Sequence, residues 1–178
     1  CDCNWDGGGW VLFIDAAAAD DDDSVKTAAS YNSNFKQVVV GEIYSFLDDK
    51  KISFGSLSDL YRVISQSENW PYLHRDVKFV LRGLEQHSKV IKVERLDNKR
   101  LKIIRKNLPY VVIVATNDYE VNAESIRKLK DDFNSFDAIL ASNPIGQITS
   151  QAYSVASMID VPLYNWKELY SELNKSWK

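Results

Sequence analysis

The chain has 178 residues, 45% apolar and 26% charged, with 7 Gly and 4 Pro. That composition excludes a fibrous or wholly disordered class and leaves room for one domain or two small ones. No window approaches 18 consecutive apolar residues, so neither a membrane-spanning helix nor a membrane partner is expected. Cys1 and Cys3 stand one residue apart at the start, which is no disulfide framework, and with two His they make no structural zinc set. A reducing, cytoplasmic compartment is the expectation. The sequence opens on Cys rather than Met, as a processed, tagged or excised chain does.

The net charge of −3 is unevenly spread. Residues 1–24 hold seven Asp and no Lys or Arg; residues 25–107 hold 16 Lys/Arg against 9 Asp/Glu; residues 108–178 hold 6 against 9. A basic middle between acidic ends makes the middle the candidate for a polyanion partner, with a solvated charged surface as the alternative. Within residues 1–30, a flexible acidic leader, residues 10–14 read as a strand and the Ala/Asp run 16–23 as low complexity. No function follows from that leader.

Residues 31–107 read as three helices and a hairpin. Phe35, Val38, Val39, Ile43, Phe46 and Leu47 share one helical face. Ser56 with Asp59 approximates a capping box before Leu57, Leu60, Tyr61 and Ile64. Leu73, Val77, Val80, Leu81 and Leu84 form a third stripe. Ile91 and Val93, then Leu101 and Ile103, alternate around a polar turn at Asp97 and Asn98, which predicts a β-hairpin. This order resembles the winged helix-turn-helix fold. Arg75, Lys78 and Arg82, at i, i+3 and i+7, share the outer face of the third helix. Residues 89–106 hold eight Lys/Arg against Glu94 and Asp97. A basic helix beside a basic hairpin suits duplex DNA, so Arg75, Lys78, Arg82, Lys89, Lys99, Arg100 and Lys102 are the expected DNA contacts. Tyr72 and His74 read as loop packing and surface.

Residues 108–178 read as a small α/β domain with parallel strands. The apolar run 110–115 is a buried strand. Residues 122–136 form a helix with Ile126, Leu129 and Phe133 inward. A second strand covers 137–142. Thr149 caps a helix running to Met158, a short strand covers 161–164, and a last helix covers 166–173. Residues 139–143, the pattern Thr149, Ala152, Ala156, the pair Val161 and Leu163, and the pair Trp166 and Leu169 resemble the C-terminal half of Mrr-like restriction endonucleases, the PD-(D/E)xK nuclease fold. The resemblance implies a Glu-x-Lys pair on the strand at 110–115 and a metal-binding Asp on the strand before it. From Asn107 to Asn117 there is no Asp, Glu or Lys, and neither Asp118 nor Glu120 has a Lys two residues on. Catalytic residues, metal ligands and cofactors are therefore expected to be none.

Residues 142–146 offer either backbone N–H groups to an anion or a plain strand-to-helix turn. Asp131 and Asp132 read as a solvated helix end, and Tyr153, Tyr164 and Trp166 as core or interface aromatics. The expected whole is an α+β winged helix followed by a small α/β domain: a DNA-binding pseudoenzyme whose nuclease-like domain serves homodimer formation or a protein partner. The alternatives are a metal-dependent endonuclease completed by a partner or a missing segment, and an interaction scaffold without nucleic acid.

Overall fold

The computed structural model describes residues 73–133 and 135–177, the strands Trp10–Phe13 and Ser53–Ser56, and the helical residues Tyr44, Phe46, Tyr61, Arg62, Ile64 and Ser65. The chain divides into two compact units, Cys1–Lys78 and Phe79–Lys178. In the first unit, β1 (Trp10–Phe13) pairs antiparallel with β2 (Ser53–Ser56), Trp10 opposite Ser56. The strand expected at 10–14 is thus present, whereas β2 had no periodic pattern to announce it. The Ala/Asp run, the helix-one positions Phe35, Val38, Val39, Ile43 and Leu47, and the capping box at Ser56 and Asp59 lie outside the described residues or side chains. Phe46, Tyr61 and Ile64, read as members of apolar helical stripes, are exposed.

The second unit is an α+β body built on one mixed sheet. Its elements are α1 (Arg75–Glu85, which begins in the first unit), β3 (Val90–Arg95), β4 (Arg100–Arg105), β5 (Leu108–Thr116), β6 (Glu120–Val121), α2 (Ala123–Asp132), β7 (Ala138–Ala141), β8 (Gln147–Ile148), α3 (Ser150–Met158), β9 (Leu163–Tyr164) and α4 (Trp166–Glu172). The sheet order is β3-β4-β5-β7-β9. β4 runs antiparallel to both neighbours, while β5, β7 and β9 are mutually parallel.

The hairpin β3–β4 is therefore not a free-standing wing. Its second strand pairs along β5, Leu101 opposite Ile113 and Ile103 opposite Val111. The expected boundary between 107 and 108 falls on a two-residue turn inside one sheet, and the chain divides at 78/79 instead. The reason is geometric: a two-residue connection can only return the strand antiparallel to its neighbour. Asn107 takes φ 57° there, a left-handed conformation that Asn tolerates better than most residues. Pro109 lies on the stretch of β5 that precedes its pairing with β7, where a missing N–H leaves no gap on that side.

Both faces of the sheet are covered by helices. Val80 and Leu84 of α1 and Leu169 of α4 pack with Leu101, Ile103, Val111, Ile113 and Leu140. On the other face Ile126 and Leu129 of α2 and Ala152, Val155 and Ala156 of α3 pack with Val114, Ile139 and Leu163. The all-buried strand β7 explains its unbroken apolar run.

Helix starts are fixed locally. Asn122 accepts from the Glu124 and Ser125 N–H groups, Thr149 from Ala152, and Asn165 with Glu168 closes a full capping box. Two features sequence periodicity missed are the short strands β6 and β8, which pair in parallel. Gly146 makes that approach possible: a Cβ there would lie 3.0 Å from the carbonyl oxygens of Asp118 and Tyr119. Among the described residues no helix is long and apolar enough to cross a membrane.

Candidate nucleic-acid interface

The outer row of α1 is present as expected. Arg75, Lys78 and Arg82 are all exposed, and the buried Val80 and Leu84 fix which side of the helix faces out. Lys78 and Arg82 form no ion pair among the described residues, while Arg75 Nε lies 3.8 Å from Asp76. Phe79 also stands exposed on this helix, edge-on to Trp166 at 5.6 Å between ring centroids. The first turn is organised by His74, whose Nδ1 accepts from the Asp76 N–H at 3.3 Å. His74 is thus a local helix-start group rather than bare surface.

The hairpin cations separate into three groups. Lys89 and Lys106 are exposed neighbours at its open end, joined through the Lys106 N–H to the Lys89 carbonyl at 2.8 Å. Lys99 is exposed at the opposite end, in the turn. Arg100 and Lys102, both expected DNA contacts, are engaged within the fold. Asp97, fully buried, accepts from the Lys99 and Arg100 N–H groups at 2.9 and 2.7 Å and from Arg100 Nε at 2.5 Å. The same guanidinium donates to the Ser135 carbonyl at 3.2 Å and lies over the Phe133 ring at 5.7 Å. Lys102 shares Glu94 with Lys92, at 3.4 and 3.0 Å, and lies over the Tyr110 ring at 4.8 Å. The Lys92 hydrogen bond, opposed by burial and aided by Lys102, lowers the pKa of the Glu94 carboxyl.

One cation that charge counting placed on the surface is inside. Arg105 is 3% exposed. Its Nε donates to the Pro109 carbonyl at 3.0 Å and its Nη1 to the carbonyls of Leu173 and Lys175 at 3.2 and 2.7 Å, beyond the end of α4. Burial lowers the pKa of this guanidinium, with Asp137 acting in the opposite sense. A strand arginine thus caps the last helix, where unpaired carbonyls and the negative end of the helix dipole favour a cation.

From Val111 to Thr116, β5 carries no ionisable side chain. Val111, Ile113 and Val114 are buried in the two cores. Arg100 lies opposite Val114 in the ladder. Asp118 and Glu120 are exposed past the strand end. Among the described residues no three His, Cys, Asp or Glu side chains converge as a metal would require.

The 142–146 turn is internally satisfied. Ser142 donates both its N–H and its hydroxyl to the Thr116 carbonyl, at 2.8 and 2.9 Å, and Asn143 Oδ1 accepts from the Ile145 N–H at 3.1 Å. Trp166 Nε1 donates to the Ser142 carbonyl at 2.8 Å, and the Tyr164 ring packs at a tilt against Trp177, 6.0 Å between centroids. Both are packing aromatics, whereas Tyr153 is exposed on α3. Asp131 is exposed at the end of α2.

No family model matches the chain, and neither a curated protein nor a solved structure matches it.

Proposed function

We propose that this protein binds duplex DNA through the outer face of α1, and that its nuclease-like α/β body does not cleave it but serves dimerisation or partner binding. The observation that carries the DNA reading is the exposed cationic row Arg75, Lys78 and Arg82 on a single helix. In this reading α1 plays the part that the third helix plays in a winged helix. Lys89 and Lys106 supply cations just past its end, and Lys99 a separate contact at the hairpin turn. Arg100 and Lys102 hold the hairpin together instead.

The inactive half rests on the resemblance to Mrr-like nucleases together with the chemistry of β5. Where that family places Glu-x-Lys, this strand presents Val, Val, Ile, Val and Ala at 111–115. Alkyl side chains supply no oxygen to a hard cation and no ammonium to orient a nucleophilic water.

The test is fluorescence anisotropy with a short duplex across a salt series. Replacing Arg75, Lys78 and Arg82 with Ala should weaken binding and cut the slope of log K against log salt by about 2–3, near 0.9 for each phosphate no longer neutralised. Unchanged affinity and slope would refute the interface. Cleavage of plasmid by the purified wild-type chain with Mg²⁺ or Mn²⁺ would refute the inactive reading and favour the endonuclease alternative.

A further inference from the structure

We infer that Phe79 is the base-reading residue of α1, and that its ring recognises the 5-methyl group of thymine in the major groove. The inference rests on the proposed seating of α1 on duplex DNA and names the feature of the bases that the helix reads.

The first observation is position. Arg75, Lys78, Phe79 and Arg82 stand at i, i+3, i+4 and i+7 of one helix, so the ring shares the outer face with the three cations. All four are exposed, Phe79 to 48%. A lone exposed apolar residue is ordinary. This one is set apart by its neighbours, because whatever covers the cations also covers the ring. The acidic residues of α1 leave the row open: Asp76 lies 3.8 Å from Arg75 Nε, and Glu85 is the last residue of the helix.

The second observation is support. The Phe79 ring meets Trp166 edge to face, with centroids 5.6 Å apart and planes at 85°. Trp166 is held in turn by its bond to the Ser142 carbonyl at 2.8 Å and by the Tyr170 ring at 5.7 Å. The Tyr170 hydroxyl donates at 2.6 Å to the carbonyl of Gly83, four residues after Phe79 on α1 itself. The ring is therefore presented on a fixed backing, and contact with a ligand orders little that is not already ordered.

The ligand follows from chemistry. The cations draw phosphates, which carry no sequence information, and an apolar ring offers nothing to the donors and acceptors of base edges. The major groove admits an α-helix, and the distinctive apolar group on its floor is the thymine methyl. A ring beside a cationic row is placed to bury that methyl while the row neutralises the backbone.

The experiment is fluorescence anisotropy of the full chain with two duplexes of one sequence made only of A·T pairs. In the second, deoxyuridine replaces every thymidine, which removes the methyl and keeps every hydrogen-bonding group. Each pair of the first presents a methyl, so no particular site need be known. The wild type should prefer the thymine duplex about fourfold, the size that burial of one methyl gives. Phe79→Ala should bind both duplexes equally. So should Phe79→Gln, whose methylenes still cover Trp166 if the smaller residue loosens the helix; far-UV circular dichroism checks both folds. Uracil also alters groove shape, but it does so alike for every protein variant, so the change in the ratio isolates the contact between ring and methyl. Replacing Arg75, Lys78 and Arg82 with Ala should lower both affinities together and leave the ratio. Equal affinities of the wild type for the two duplexes, a preference that survives in both Phe79 variants, or tighter binding of the single strand than of either duplex would overturn the inference and leave the cationic row standing. No binding of any of these probes would refute the row itself, and the inference with it.

Discussion

Removing the Asp97 carboxylate tests whether the hairpin is held by an internal ion pair rather than poised as a flexible wing. Asp97 is fully buried and accepts three hydrogen bonds: two from backbone N–H groups and one from the Arg100 guanidinium. Breaking a buried ion pair from one side costs about 3–5 kcal/mol, because the remaining charge is stranded. That is an upper bound here. Arg100 keeps a quarter of its side chain in solvent, its bond to the Ser135 carbonyl and its place over Phe133. The two orphaned N–H groups add about 1 kcal/mol or more each where water does not reach them. Asp97→Ala should therefore destabilise the sheet by about 2–4 kcal/mol, and Asp97→Asn, which keeps an acceptor for the N–H groups but loses the charge, by about 1–2 kcal/mol. Urea unfolding of the full chain followed by circular dichroism gives the totals, and hydrogen exchange at the β4 and β5 amides reports the sheet itself. A loss below about 0.5 kcal/mol for Asp97→Ala would mean that the turn is not held in this way, because it is the size of an ordinary surface substitution.

Three more outcomes follow from the packing. Ile139, fully buried between Val114 on β5 and Leu163 on β9, should cost about 2–5 kcal/mol on replacement by Ala, read by the same denaturation. Gly83→Ala would bring a Cβ to 2.7 Å from Trp166, whose indole is fixed to the Ser142 carbonyl. Overpacking at about 1–3 kcal/mol should outweigh the roughly 1 kcal/mol gain in helix propensity, and a more stable variant would show that Trp166 yields freely. Burial raises the pKa values of Tyr164 and Tyr170, and the Tyr170 hydroxyl donates to the Gly83 carbonyl at 2.6 Å. The unfolded tyrosines ionise first, so stability should be flat below about pH 10 and fall as pH rises past it. Replacing both with Phe should flatten that alkaline decline in pH-dependent unfolding, and an unchanged decline would assign it to other groups.

What was legible in the sequence were elements whose evidence is local. The Thr149 cap and the alternation through Leu101 and Ile103 each predict a piece that the structure contains within a residue or two, whereas the helix expected over 122–136 from Ile126, Leu129 and Phe133 ends at Asp132, because Phe133 takes an extended conformation as its C-cap. What was not legible depended on partners far along the chain. Alternation shows that β4 has a buried face but not that its second edge is hydrogen-bonded to β5. The spacing between Ile104 and Pro109 did hold that information, since so short a connection allows only antiparallel return. Arg105 reads as one more basic residue because the carbonyls that bury it, Leu173 and Lys175, are about 70 positions away. The strands β6 and β8 have two residues each, too few for any period to show.

On the proposed DNA-binding reading, the fate of the hairpin cations also limits where a nucleic acid would be held. Of the eight Lys and Arg between 89 and 106, Arg105 is buried, Arg95 is half-buried and engaged, Arg100 is bound to Asp97, and Lys92 and Lys102 share Glu94. Lys89 and Lys106 lie at one end of the β3–β4 ladder and Lys99 at the other, separated by the six residues of β4, or about 20 Å of extended strand. Charges that far apart are separated by more than a screening length at physiological salt, so they do not act as one patch. The net charge of the segment therefore overstates its pull on a polyanion. The contribution that remains concentrated is the α1 row, where adjacent positions lie one helical turn apart. Contacts at the two hairpin ends can add to that row only as independent phosphate neutralisations, with effects on affinity that sum rather than reinforce one another.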